Sequence, residues 1–163
     1  MAQKLPKRKA AGKTGAAVFV LLLSIILLIA RTGFIPSGGT TPKAQELCGQ
    51  AVSWKEVWES PERFRGSRIA VTGTVASAAF LPGVNGQPTF LNLGNAHPQT
   101  PRFEIVIWGE YRSDFLSSVP LPPEQYYKQR KLCAAGTVTL HQGVPQVEVR
   151  DPEQIVLHVD ERE

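Results

Sequence analysis

Apolar and polar positions follow two different patterns along the 163-residue chain. Residues 16–30 form an apolar run that contains no charged residue. From Arg68 to Val75, and again in several later stretches, apolar and polar residues alternate with a period of two. Alternation is typical of strands that bury one face, and a long uncharged run is typical of a signal or anchor segment. The pattern therefore predicts a small β-domain that follows one hydrophobic segment.

The alternating stretches predict five strands, separated by loops rich in Gly and Pro. In chain order, the five strands span residues 68–75, 89–93, 103–108, 131–141 and 145–150. A last short extension at residues 154–159 adds to the sheet. Pro120, Pro122 and Pro123 interrupt the segment between the third and fourth strands, so we expect one helical turn there at most. Pro145 favours an edge position for the start of the fifth strand.

A short helix is predicted before the first strand. Trp54, Val57 and Trp58 share one face at helical spacing, and Pro61 ends the helix. Two tryptophans on one face form either a stacking platform or an apolar plug for a barrel, and we favour the plug.

The order of these elements predicts an all-β fold. Five strands with an irregular connection between the third and the fourth match a five-stranded OB-fold-like Greek-key barrel, with an SH3-like barrel as the alternative. The short N-terminal helix precedes the barrel, and a single transmembrane segment precedes both. We divide the chain into a basic cytoplasmic tail (1–13), an anchor or signal region (14–31), a flexible linker (32–47) and the barrel domain (48–160).

The hydrophobic segment predicts the location of the domain. Basic residues precede it and Arg31 follows it, which favours a cytoplasmic N-terminus and an extracytoplasmic domain on a single-pass membrane protein. The run is shorter than the ~20 apolar residues of a usual span, and flanking residues with a snorkelling Lys13 extend it. The alternative is secretion after cleavage, although no good cleavage site follows the run.

The net charge of +4 reflects mainly the N-terminal tail. Six of the 18 basic residues and none of the 14 acidic residues lie in residues 1–31, so the rest of the chain carries 12 basic residues against 14 acidic ones. The basic isoelectric point therefore indicates nothing about what the domain binds.

The two cysteines, Cys48 and Cys133, form a candidate disulfide in an oxidising compartment. Such a bond would close a loop of about 85 residues, which corresponds to roughly 4–5 kcal/mol in the chain-entropy model. The alternative is two unpaired thiols.

Several short segments resemble a bacterial family of OB-fold nucleic-acid-binding-like domains that often follow a signal or anchor segment. The matching segments are Val52–Glu56, Val71–Val75, Pro88–Gly94, Arg102–Phe103, Val106–Gly109 and Gly143–Val149. The resemblance covers about residues 50–157 and implies nucleic-acid binding, and it supplies no catalytic residues.

OB-folds that bind single strands use aromatic and basic side chains on the second and third strands. The candidates for nucleic-acid contacts here are Phe90, Asn92, Arg102, Trp108, Tyr111, Arg112, Lys128 and Arg130. A basic run, Lys128 to Lys131, is a candidate for phosphate contacts, and nearby acidic residues oppose a polyanion.

The sequence contains no spacing typical of a catalytic or metal site, so we expect no enzyme activity, metal or cofactor. The expected function is a membrane-tethered extracytoplasmic binding module. Its expected partners are the membrane through residues 14–31 and single-stranded DNA or RNA. The alternative is a module that binds an envelope protein and no nucleic acid. An uninterrupted basic surface beside the aromatics would favour the first, and an exposed apolar patch the second. The oligomeric state stays open.

Overall fold

The computed structural model describes residues 43–158. No helix in this range is long and apolar enough to cross a membrane. The predicted basic tail, the predicted anchor at residues 14–31 and most of the predicted linker lie outside the described residues.

Within the described range the chain forms seven strands and five short helices. The helices are α1 (Ala44–Cys48), α2 (Trp54–Glu59), α3 (Pro61–Phe64), α4 (Arg112–Ser118) and α5 (Pro123–Tyr126). The strands are β1 (Val52–Ser53), β2 (Arg68–Phe80), β3 (Thr89–Gly94), β4 (Arg102–Ile107), β5 (Lys131–His141), β6 (Val144–Glu148) and β7 (Ile155–Leu157). A 3-10 turn at Pro152–Gln154 precedes β7.

Five of these strands close a barrel. The order is β2-β3-β4-β6-β5, and the pairing of β2 with β5 completes the circle. All pairings in the ring are antiparallel except that between β4 and β6, which is parallel. This arrangement fits the OB-fold expected from the sequence, with β1 and β7 as additional strands at the ends of the sheet.

Strand β2 is longer than predicted, because a bulge lets it change partners. Its first half, from Arg68 to Thr74, pairs with β5, and its second half pairs with β3. The register shifts between Val75 and Ser77, which leaves Ala76 as the extra residue. A bulge bends a strand sharply and increases its twist, which allows one long strand to follow two sides of a barrel.

The barrel interior is filled by the inward-facing apolar side chains of all five strands. They include Val71, Val75, Leu91, Leu93, Phe103, Ile105, Ile107, Leu132, Val138 and Val147. Trp54 and Val57 of α2 pack against this core, as expected for a plug. Trp54 lies against Gly73, where an added Cβ would be 2.6 Å from Trp54 Cδ1.

Two local expectations are corrected by the structure. The segment after β4 contains the seven-residue α4 and then α5, because Phe115 of α4 is fully buried in the core and secures the helix before the prolines begin. Residues 44–47, which were predicted as linker, are helical in α1. β6 runs between β5 and β4, but its pairing with β4 begins at Gln146. Pro145 is buried and pairs only with Leu140 of β5, as predicted for the start of the strand.

The predicted disulfide between Cys48 and Cys133 is confirmed, with the two Cα atoms 5.9 Å apart. It joins α1 to the middle of β5, where Cys133 is fully buried. Ala44 and Leu47 of α1 pack against Ala70 and Ala135 beside it.

Gly94→Ala is expected to destabilise the domain by about 2–4 kcal/mol, because Gly94 has a φ of 90° and an added Cβ would overlap Trp54 Cη2. Urea unfolding measures the change. Gly83→Ala is the matched control, since no atom lies within 4 Å of its added Cβ, and it should change stability by less than about 0.5 kcal/mol. Equal effects of the two substitutions would contradict this packing.

Candidate nucleic-acid interface

Phe90 and Asn92 lie on the outer face of β3, as the alternation predicted, because Leu91 and Leu93 point into the core. Phe90 is half-buried and lies opposite Ala79 of β2. Asn92 is only 3% exposed, and its Nδ2 donates to Ser77 Oγ at 3.1 Å. Phe90 is therefore the more accessible of the two, and Asn92 helps to hold β2 against β3.

Arg102 is held within the protein by an ion pair. Its Nε donates to Glu104 Oε1 at 2.8 Å, and both side chains are less than one tenth exposed. Its Nη1 also donates to the carbonyl oxygens of Pro98 and Gln99, at 2.8 and 3.2 Å. The guanidinium thus fixes the loop between β3 and β4, and its charge is neutralised by the adjacent carboxylate.

Arg112 closes one end of the barrel. Its guanidinium carbon lies 3.8 Å from the centre of the Phe80 ring, and Nη1 donates to Thr89 Oγ1 at 2.6 Å. An ion pair at 2.9 Å joins Nη1 to Glu124 Oε2 on α5. Arg112 therefore connects α4 and α5 to the strands, and its charge too is compensated internally.

Trp108 and Tyr111 lie beyond the end of β4. Trp108 packs beneath the loop between β2 and β3, where a Cβ on Gly86 would lie 2.9 Å from Trp108 Cε3. The Tyr111 ring lies 5.7 Å from the guanidinium carbon of Arg150. A hydrogen bond with Glu110, with a smaller contribution from desolvation, raises the pKa of Tyr111. Both rings thus already have neighbours within the domain.

Lys128 and Arg130 lie far from these aromatics along the chain, on a well-anchored turn. Gln129 N donates to Val75 O at 2.9 Å, and Val75 N donates to Arg130 O at 3.0 Å. The Arg130 guanidinium carbon lies 4.2 Å from the centre of the Tyr126 ring. We call Lys128–Lys131 the basic turn. Its three cations are exposed, and none has a carboxylate partner among residues 43–158.

The outer surface of β2 beside this turn is open. Thr74, Ala76 and Ala79 are exposed and Ser77 is half-buried, and we call these four residues the open strand. Thr74 lies directly opposite Lys131, and Ala79 lies opposite Phe90. The open strand therefore extends from the basic turn to Phe90 and carries only small side chains.

Of the predicted residues, Phe90 lies at one end of the open strand, and Lys128 and Arg130 lie on the turn at its other end. Arg102 and Arg112 are engaged in ion pairs. Trp108 and Tyr111 follow the C-terminal end of β4, just beyond Val106, which pairs with Phe90. Sequence reasoning missed the open strand. Its residues carry no aromatic or charged group, and the bulge at Ala76 that places them was not visible in the alternation.

The electrostatic surroundings favour an anion at this surface. No acidic residue occurs in β2, β3 or β5, or between Gln125 and Lys131. Glu104, on β4, is compensated by Arg102. Within residues 43–158 the 11 basic and 11 acidic residues balance, so the local excess of positive charge arises from their placement.

A groove of about 1200 Å³ lies elsewhere, along β5, β7 and the ends of α4 and α5. It is lined by both signs of charge, including Arg68, Arg150, Asp151 and Glu153. Among residues 43–158 no three His, Cys, Asp or Glu side chains lie close enough together to hold a metal ion.

Arg102→Ala is expected to destabilise the domain by about 3 kcal/mol, because it leaves the buried Glu104 carboxylate without its partner. Arg63→Ala, which removes an exposed ion pair with Glu56, is the control and should cost less than about 1 kcal/mol. Urea unfolding at neutral pH measures the loss of stability in both variants. A small effect of Arg102→Ala would show that the pair does not hold the loop.

Burial raises the pKa of Tyr127, beside the basic turn, from 10.0 to about 12. A folded-state pKa above the unfolded value stabilises the neutral form, so this contribution to stability is complete below pH 10 and is lost as the pH rises to about 12. The free energy of unfolding of Tyr127→Phe should therefore fall less than that of the unmodified chain as the pH rises from 10 to about 12. Chemical unfolding across that range tests this, and an unchanged pH dependence would contradict the assignment.

Neither a family model nor a curated protein matches the chain. Solved structures that resemble it include OBody AM1L10 bound to hen egg-white lysozyme, at 17% identity and a TM-score of 0.39, with 59% of this chain and 83% of that chain covered. Asparaginyl-tRNA synthetase from Pyrococcus horikoshii has 17% identity and a TM-score of 0.41, and the match covers 66% of this chain but 23% of the synthetase. The S. pombe Stn1-ten1 complex has 11% identity and a TM-score of 0.36, with 57% and 59% covered.

Proposed function

We propose that this domain is a binding module for single-stranded nucleic acid, and that the strand lies along β2 between the basic turn and Phe90. The observation that carries the proposal is the group of three exposed cations, Lys128, Arg130 and Lys131, beside strands that contain no acidic residue. The OB-fold arrangement of the barrel is compatible with this role.

The phosphates would lie against the basic turn. Each cation that neutralises a phosphate releases a counterion, so the affinity depends on salt. Lys131 is fixed in place by β5, and Arg130 is supported by Tyr126. A turn that is already ordered loses little conformational freedom when the strand binds.

The bases would lie toward Phe90. Stacking of one base on an aromatic ring is worth about 1–3 kcal/mol and tolerates every base, because each base has a π-face. Thr74, Ala76 and Ala79 present no amide or guanidinium group to base edges. The module should therefore bind unpaired strands with little sequence preference.

The disulfide supports the proposed location. Stable disulfides are typical of oxidising compartments outside the cytoplasm. We therefore propose that the domain is extracytoplasmic, with residues 14–31 as its membrane anchor.

A protein partner is the second candidate function. Leu81 and Val84, in the loop between β2 and β3, are 37% and 48% exposed, and the loop carries no charged residue. Exposed apolar side chains on a loop favour contact with another protein, such as an envelope protein.

The direct test titrates the full-length chain, kept in mild non-ionic detergent, into labelled oligothymidylate and oligouridylate while fluorescence anisotropy is recorded. Lys128→Ala/Arg130→Ala should weaken binding about tenfold or more at low salt. It should also reduce the slope of log affinity against log salt by about 1.4, because two single-strand phosphate contacts are lost.

The matched control is Arg63→Ala/Arg65→Ala, which removes two exposed cations that already have carboxylate partners. A similar loss in this control would mean that net charge alone attracts the strand. No binding by the unmodified chain at 50 or 200 mM salt would reject the nucleic-acid proposal and favour the protein partner.

Phe90→Ala should weaken binding by about 5- to 100-fold, which corresponds to one lost stacking contact. Trp108→Ala should leave the affinity within about twofold, because Trp108 packs beneath the loop between β2 and β3. Anisotropy at one salt concentration compares the two variants, with unfolding curves as the check on folding. The opposite order of effects would place the bases on Trp108 and not on Phe90.

A further inference from the structure

The helix α1 is held on the barrel by the disulfide and by a few small apolar contacts. It has five residues, and none of its side chains is fully buried. Ala44 and Leu47 make partly buried contacts with Ala70 and Ala135 on the outside of the barrel. Helices of this length are marginal in water, so these contacts alone hold α1 weakly.

Helix α1 lies across one outer face of the barrel and separates the two ends of that face. Going along paired positions of β2 and β5, Thr74 lies opposite Lys131, Thr72 opposite Cys133 and Ala70 opposite Ala135. The last pair is Arg68 with Thr137, and both of these side chains are exposed. Because α1 packs on Ala70, Cys133 and Ala135, it lies between the basic turn and Arg68.

We propose that the Cys48–Cys133 bond is a redox-controlled clamp that holds residues 43–51 over this face and so limits the length of the binding surface. Once released, the segment uncovers the outer side of β2 and β5. The exposed side chain of Arg68, at the far end of this face, then becomes reachable from Lys131. The effect on binding rests on the proposed function, whereas the release of the segment does not.

The release requires a dithiol reductant. One thiolate of the dithiol attacks Cys48 Sγ, because Cys48 is half-buried whereas Cys133 is fully buried. The Cys133 thiolate leaves and takes up a proton. The second thiol of the reductant then displaces Cys48 from the mixed disulfide. Two protein thiols and one reductant disulfide result, so two electrons and two protons are transferred to the protein.

Hydrogen exchange of the full-length chain tests the clamp without any ligand. We expect amide exchange in residues 44–51 to become about tenfold faster or more after reduction, because local opening then costs little free energy. Amides in β2 and β5 should stay protected to the level that global unfolding of the reduced chain allows, because loss of the cross-link also lowers the global stability. Urea unfolding of the same sample measures that level. Cys48→Ala/Cys133→Ala should reproduce the result without reductant. No acceleration in residues 44–51, or exchange there no faster than in β2 and β5 of the reduced chain, would overturn the clamp.

Binding of oligothymidylate to the oxidised and reduced chains tests the consequence. In the reduced chain the salt slope should become steeper by about 0.7, which corresponds to one additional phosphate contact. Arg68→Ala should abolish this increase and leave the oxidised chain unaffected. Identical slopes in the two states would overturn the lengthening. No binding in either state would contradict the proposed function, and hydrogen exchange would still decide the clamp.

Discussion

The barrel depends on the double pairing of β2. One strand of 13 residues pairs with β5 along its first half and with β3 along its second half, and the circle closes only because it bends between them. The bulge at Ala76 supplies that bend, and the turn after α5 is fixed there by hydrogen bonds to Val75. The same constraint therefore closes the fold and places the basic turn beside the outer side of β2. The position of Trp54 depends on the same bend, because the indole ring packs against Gly73 and Gly94 at the end of the closed barrel.

Internal ion pairing determines which charges remain available to a ligand. Arg102 and Arg112 each have a carboxylate within 3 Å and hold loops and helices to the barrel. The basic turn has no such carboxylate within the described range. Residues 43–158 carry no net charge, yet they present a positive surface at this turn. Affinity for a polyanion depends on this uncompensated local charge more than on the isoelectric point of the chain.

The sequence predicted much of the fold but less of the candidate site. Period-two alternation located all five barrel strands, and β5 was predicted over its observed range, Lys131–His141. The two cysteines, and Trp54 and Val57 of the predicted helix face, also behaved as expected, because burial and pairing constrain them strongly, whereas Trp58 does not pack on the core. The extension of β2 to Phe80 was not predictable, since a bulge changes which residues face outward without changing composition. Nor did the residue types show that Arg102 and Arg112 would be neutralised, because the Arg112 pairing with Glu124 and the burial of Arg102 depend on how distant segments pack.

The most direct test of the proposed interface is a titration of the ¹⁵N-labelled full-length chain with a short oligothymidylate, followed by amide chemical shifts. The account predicts that the largest changes cluster at Thr74–Ala79, at Phe90 and at Lys128–Lys131, and that the amides of Trp108 and Tyr111 change little. Largest changes around Trp108, Tyr111 and the loop between β2 and β3, with none at the basic turn, would contradict it.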